Sequence, residues 1–264
     1  DFSAARRRPS VRKYLSLQMV ALLLMEPPIK LTTDEIRSEK IKVLRALRKM
    51  TREEVEKYFV RGQYGAGEIG GEVVPAYREE AEELANSNTE TFVAGKLKVD
   101  NYRWAGVPIY IRTGKRMATK TINIIIQFRD LPMNLYYESD KERHPNLLNI
   151  HIQPNEGITL SINARKSGSG NLAEPIHLTY SPHEVPGINT PEAYEKLLYD
   201  CMVGDATNFT HWDEVALSWK FVDPILNTWA DKKADFPNYQ SGSMGPKEAD
   251  DLLAEDGFHW WEVK

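Results

Sequence analysis

Between Tyr58 and Tyr180 the pattern of apolar residues changes from period 3.6 toward period 2, with candidate strands at 58–63, 91–99, 107–112, 121–128, 148–153, 157–164 and 175–180. That is the period of a strand. A parallel neighbour needs a crossover of about a dozen or more residues, usually a helix, and most of the intervals carry no helical pattern of that length. The strands must therefore pair mainly antiparallel. Pro154-Asn155-Glu156-Gly157 joins two of them as a tight hairpin. In Ile150-His151-Ile152 and Ile158-Thr159-Leu160-Ser161-Ile162 apolar and polar residues alternate, which predicts a sheet with one buried face. The run Ile122-Asn123-Ile124-Ile125-Ile126 breaks the alternation and predicts a strand covered on both faces.

Helical periodicity flanks this region on both sides. Residues 11–25 become apolar on every side from Met19 to Met25, so that helix is expected to be buried all round, and Pro27-Pro28 stops it. Thr32 to Glu35 has the pattern of a capping box and opens a helix with Ile36, Val43, Leu44, Leu47 and Met50 on one face. A second box, Thr51 to Glu54, starts a short helix carrying Val55. After the strands, residues 191–203 place Tyr194, Leu197, Leu198, Cys201 and Met202 at helical spacing. Asp213 is expected to cap a long helix with Val215, Trp219, Val222, Ile225 or Leu226, and Trp229 inward, and Pro246 opens a last helix that ends before Gly257. Helices, strands, then helices, with no repeat and no linker, predict one α+β domain: a large, mostly antiparallel sheet backed by helices.

Composition narrows the function classes. With 41% hydrophobic and 27% charged residues the chain can bury a real core, and its longest apolar run is shorter than the roughly 20 residues that span a bilayer. No membrane partner is expected. The single cysteine, Cys201, excludes an internal disulfide and a cysteine-based zinc cluster and, with no signal-peptide pattern, fits the cytoplasm. Residues 1–14 carry a net +4 and the remainder −8, so a basic tip precedes an acidic body and no basic stripe continues it; nucleic acid is not an expected partner.

Most motif matches carry no chemistry. Gly65-Ala66-Gly67-Glu68-Ile69-Gly70 fits G-x-G-x-x-G, but Gly71 and the extended Val73-Val74-Pro75 follow where a dinucleotide site needs a helix, so a glycine loop is expected. The six histidines lack helical metal spacing, and His151 and His177 read as sheet residues. Ser241 and Ser243 lie outside any nucleophile elbow, and the Asn208-Phe209-Thr210 sequon is expected to be silent. The basic run from Arg112 through Lys115 and Arg116 to Lys120 follows a strand end. Spacing alone favours a solvated loop over a site in which Lys115 and Lys120 converge on a polyhydroxylated or phosphorylated ligand.

Seven ordered strings carry a resemblance. They are Gln18-Met19-Val20-Ala21-Leu22 leading to Met25-Glu26-Pro27-Pro28; Arg61-Gly62-Gln63-Tyr64-Gly65-Ala66-Gly67; Arg103-Trp104-Ala105-Gly106-Val107-Pro108; Arg112-Thr113-Gly114-Lys115; Asn189-Thr190-Pro191-Glu192-Ala193-Tyr194-Glu195; Trp219-Lys220-Phe221-Val222-Asp223; and Gly242-Ser243-Met244-Gly245-Pro246. Over about residues 16–264 the chain resembles the carboxy-terminal, substrate-binding and dimerisation domain of glucose-6-phosphate dehydrogenase, with residues 1–15 left as an arm outside it.

The resemblance implies oxidation of glucose 6-phosphate to the 6-phosphogluconolactone by hydride transfer to NADP or NAD, at the entry to the pentose phosphate pathway. It implies Lys115 and Lys120 as sugar contacts, reversing the reading from spacing, and a homodimer formed through the sheet. The family's coenzyme domain, with its G-x-x-G-D-L-A and R-I-D-H-Y-L-G-K-E segments, has no counterpart in this sequence, so no cofactor is expected on this chain alone. The family's catalytic histidine falls at Leu15, which cannot take a proton, and a substrate-binding Asp falls at Ser10. Arg112 matches an arginine of a second, structural NADP site in some members, but Thr121, Ile125 and His151 replace its other basic positions, so structural NADP is not expected. The alternative is a non-catalytic sugar-phosphate-binding or scaffold module with the same sheet.

Overall fold

A computed structural model describes residues 12–130, 144–168, 173–182 and 193–262. In chain order its helices are α1 (Arg12–Leu24), α2 (Thr33–Ala46), α3 (Arg52–Tyr58), α4 (Ala193–Val203), α5 (Trp212–Ala230) and α6 (Glu248–Ala254). Its strands are β1 (Phe59–Gly62), β2 (Tyr64–Gly65), β3 (Gly67–Ile69), β4 (Glu72–Val74), β5 (Phe92–Leu97), β6 (Ile109–Gly114), β7 (Ile122–Gln127), β8 (Leu147–Gln153), β9 (Gly157–Arg165), β10 (Ala173–Tyr180) and β11 (Tyr239–Gln240). Among the described residues all strand pairings are antiparallel except β11 on β2. The α+β class is as expected. The long strands form two ladders, β1-β5-β6 and β10-β9-β8-β7, and the chain divides into two compact units, Asp1–Ala118 with Ala193–Trp260 and Thr119–Glu192 with Trp261–Lys264.

In the first unit the β1-β5-β6 sheet is buried on both faces. One face packs on α1, α2, α3 and α5 through Leu17, Ala21, Val55, Leu97, Val99 and Phe221. The other carries Phe92 and Ala94 against Tyr64, Tyr239 and Ala249. Strand β6 lies two residues further along than its alternation suggests, because Thr113 and Gly114 still pair with Val93 and Phe92 while Val107 is in a turn bonded to Trp104.

In the second unit the register Ile124↔Ile150, Ile150↔Ile158 and Ile158↔Tyr180 sets apolar residues of all four strands on one face. Ile125 lies on the opposite face, opposite Asn149, where His151 bonds Thr159 at 3.1 Å and His177 bonds Ser161 at 2.8 Å. No described residue of β7–β10 is buried, so the two-sided cover expected for 122–126 is not found among the described residues; Ile122 itself is exposed.

Several helix expectations change. Helix α1 is not buried all round: Leu22 is 51% exposed while Ala21 and Leu24 are buried. Thr32 makes no capping bond; the neighbouring Thr33 hydroxyl meets that of Thr207 at 2.8 Å, whereas the box at Thr51 and Glu54 is complete. His211 rather than Asp213 caps α5, accepting from the Asp213 N–H at 3.3 Å. The inward face of α5 runs through Glu214, Ser218, Phe221, Ile225 and Trp229, because Glu214 pairs with Lys40 of α2 at 2.8 Å, 0% and 6% of the two side chains being exposed. In α4 the apolar residues at helical spacing are mostly exposed: Tyr194 is 80% exposed, and Leu198 and Met202 are exposed with it.

Candidate functional site

The basic segment begins where β6 ends. Gly114 is required there, since a Cβ would lie 2.7 Å from the Phe92 ring and 2.9 Å from Met117 Sδ. The backbone beyond it is bonded residue by residue. The Lys115 N–H donates to the Thr91 carbonyl at 2.9 Å, and the Tyr239 hydroxyl donates to the Lys115 carbonyl at 2.8 Å. The Arg116 carbonyl accepts from Gly242 N–H at 2.7 Å, and Ala118 N–H donates to the Ser243 carbonyl at 3.0 Å. Arg116 holds a left-handed φ of 55°, a costly conformation for a residue with a side chain. Its guanidinium bonds Glu80 at 3.1 Å, and that contact raises its pKa.

This fixed turn leaves the Lys115 ammonium free. The side chain is exposed and has no ion-pair partner among the described residues. Lys120 is likewise exposed and unpaired among them, two residues before β7. The chain passes from the first unit to the second between the two lysines, Lys115 in one and Lys120 in the other. Each ammonium can offer three donors to hydroxyl or phosphate oxygens. Position 15 lies in the first turn of α1.

The remaining candidates have structural partners. The Arg112 guanidinium lies 4.6 Å from the Trp260 ring centroid, and burial lowers its pKa. The Gly65–Gly70 motif is an ordered hairpin: β3 pairs with β4, Gly70 and Gly71 form the turn at φ 61° and 87°, and no helix follows. It does not fit a dinucleotide, whose pyrophosphate needs a helix N-terminus at the glycines. Ser241 Oγ donates to the Gly65 carbonyl and Ser243 Oγ to the Gln240 carbonyl, so both hydroxyls hold turns. No cluster of three metal-ligating residues occurs among the described residues.

Two buried polar contacts escape periodicity analysis, one at this turn and one between α2 and α5. Tyr239 sits 124 residues beyond Lys115. Lys40 and Glu214 are both charged residues at helix positions that a hydrophobic pattern assigns to solvent. Neither pairing leaves a local signal in the sequence.

The family model described as glucose-6-phosphate dehydrogenase, C-terminal domain, matches residues 12–261. The chain belongs to that family. It is 65% identical over 247 residues to the glucose-6-phosphate 1-dehydrogenase of Bacillus subtilis (strain 168), covering 94% of this chain and 50% of that protein. With the Chlamydia pneumoniae enzyme of the same name it shares 44% over 248 residues, 92% of this chain and 48% of the relative. A solved glucose-6-phosphate dehydrogenase in complex with its substrate glucose-6-phosphate superposes with a TM-score of 0.81 at 33% identity, covering 96% of this chain and 51% of that one. The chain thus spans about half the length of the relatives it matches.

Proposed function

We propose that this chain is the substrate-binding and oligomerisation part of a cytoplasmic glucose-6-phosphate dehydrogenase, an oxidoreductase that converts glucose 6-phosphate to 6-phosphogluconolactone in the pentose phosphate pathway. The observation that carries the reading is the 65% identity with the Bacillus subtilis enzyme over 247 residues. Lys115 and Lys120 are its sugar contacts, each donating charge-assisted hydrogen bonds worth about 1.5–3 kcal/mol. NADP, or NAD, would accept the hydride from C1 in the complete enzyme. The hydroxyl proton needs a base, and Leu15 supplies none.

Two consequences are measurable. The purified chain forms no NADPH from glucose 6-phosphate and NADP, and detectable turnover free of host enzyme would refute this. When glucose 6-phosphate is titrated into the chain, Lys115→Ala and Lys120→Ala each weaken binding by about 10- to 150-fold. Unchanged affinity in both variants would return the segment to an ordinary basic turn. Leu15 favours the second reading, a non-catalytic sugar-phosphate-binding or scaffold module; it shares the lysine result and differs if restoring histidine at 15, beside a family coenzyme domain, yields no activity.

The homodimer is proposed through the β7–β10 sheet. Its support is the apolar face on which Ile158, Ile176, Leu178 and Tyr180 remain exposed.

A further inference from the structure

Tyr239 is almost completely buried, 6% exposed, yet its hydroxyl is spent on the main chain of an exposed residue. Its ring is held by Phe92 at 5.5 Å and Tyr64 at 6.3 Å, and its backbone by the parallel pairing of β11 with β2. The hydroxyl therefore has little freedom. It donates its one proton to the Lys115 carbonyl at 2.8 Å, so at the 3.0 Å contact with Thr91 Oγ1 it must accept, and the threonine donates. Thr91 Oγ1 in turn accepts from the Tyr64 N–H at 3.1 Å, and the Thr91 carbonyl takes the Lys115 N–H at 2.9 Å. The result is a closed ring of bonds, Thr91 main chain to Lys115 to Tyr239 and back to the Thr91 side chain. Burial pushes the Tyr239 hydroxyl up to about 12, so it stays a donor through the neutral range.

The residue after Lys115 makes this ring consequential. Arg116 keeps a left-handed φ of 55°, and such a conformation persists only where its surroundings over-determine it. On one side the Gly242 N–H holds the Arg116 carbonyl; on the other the Tyr239 hydroxyl holds the carbonyl of Lys115, an atom of the very peptide that Arg116 must twist. Without that hydroxyl the peptide can rotate, and the Lys115 side chain loses its fixed point of departure.

We propose that Tyr239 is a positioning residue for glucose 6-phosphate binding, acting through the Lys115 main chain without touching the sugar. This rests on the reading of Lys115 as a sugar contact. The test uses the whole chain and four proteins: wild type, Tyr239→Phe, Lys115→Ala and the double variant, each titrated with glucose 6-phosphate and followed by amide hydrogen exchange. The expected result is that Tyr239→Phe weakens binding about 5- to 10-fold, while in the Lys115→Ala background it weakens binding no further. Exchange at the Lys115 amide rises about 10-fold in Tyr239→Phe, with Leu97 and Val99 unchanged. Losses that multiply in the double variant would overturn the proposal, as would unaltered exchange at Lys115. If glucose 6-phosphate does not bind, or Lys115→Ala binds it like wild type, the sugar-contact reading fails and the proposal with it, while the exchange result separately reports whether the clamp exists. Should Tyr239→Phe not fold, Thr91→Val removes the hydroxyl that donates to the Tyr239 oxygen at 3.0 Å and so loosens its aim at the Lys115 carbonyl; binding should weaken in the wild-type background and no further in Lys115→Ala, and losses that multiply would overturn the proposal.

Discussion

Removing Glu214 should expose how much of the first unit depends on one buried charge pair. Lys40 Nζ lies 2.8 Å from Glu214 Oε2, with 6% and 0% of the two side chains exposed. The contact lies off the carboxylate's hydrogen-bonding directions: neither Glu214 oxygen has a hydrogen-bond partner among the described residues, and Ser218 Oγ, one turn on, has none either. Such a pair contributes little net stability against an apolar replacement, but breaking it leaves a buried ammonium unpaired. Glu214→Ala should therefore cost about 3–5 kcal/mol, whereas Lys40→Met combined with Glu214→Leu should be neutral or stabilising by about 1–4 kcal/mol. At about 2–4 °C per kcal/mol for a domain of this size, the single variant melts about 6–20 °C lower. Urea unfolding followed by tryptophan fluorescence is the assay, since Trp104, Trp212, Trp219, Trp229 and Trp260 all belong to the first unit. A loss below about 1 kcal/mol in Glu214→Ala, or a double variant no more stable than the single one, would refute the argument.

Leu178→Lys sets a charge on the apolar face of the second unit, where Leu178 is 54% exposed, and should raise the dimer dissociation constant at least about 10-fold in sedimentation velocity; a wild-type monomer at micromolar concentration would end the dimer proposal. Hydrogen bonds from Lys96 and then Tyr110 hold the Asp256 carboxyl below the ordinary aspartate value of 3.8, so the stabilisation is present above that pH and is lost as pH falls through the lower folded value. Asp256→Asn should thus be less stable than wild type at neutral pH, with the gap closing only below about pH 4 in pH-dependent melts; a gap that stays constant into acid would contradict this assignment. Thr51→Ala removes the hydroxyl that accepts from the Glu54 N–H, leaving only the bond from its own backbone N–H to the Glu54 carboxylate, and should cost about 0.5–2 kcal/mol by urea unfolding, while Thr32→Ala, where no side-chain bond caps α2, should cost less.

The strands were legible because alternation is a local property. All seven segments became strands to within two residues, and the 154–157 turn closed the hairpin it predicted. Helix faces were harder, for a physical reason visible in α5. Its pattern points inward through Val215 and Trp219, but pairing with Lys40 draws Glu214 inside and rotates the buried stripe, which leaves Trp219 exposed. The glycine motif shows the opposite failure, an incomplete reading: the expected loop is a hairpin built on two positive φ angles. In the candidate site, the basic run and Gly114 could be seen in the sequence. The clamp on Lys115 could not, because it joins β11 to the end of β6 across 124 residues with no shared periodicity.

The interleaving of the two units sets a timetable for synthesis. Residues 119–192 are inserted between the two parts of the first unit, so the sheet β7–β10 leaves the ribosome before α5, which completes the older core. Lys40 waits 174 residues for Glu214, which at about 5–20 residues per second is about 9–35 s. Throughout that interval α2 lacks its α5 partner and Lys40 lacks its carboxylate. The nascent chain is therefore a prolonged client for chaperones, and slowing translation after residue 118 should increase its loss to aggregation.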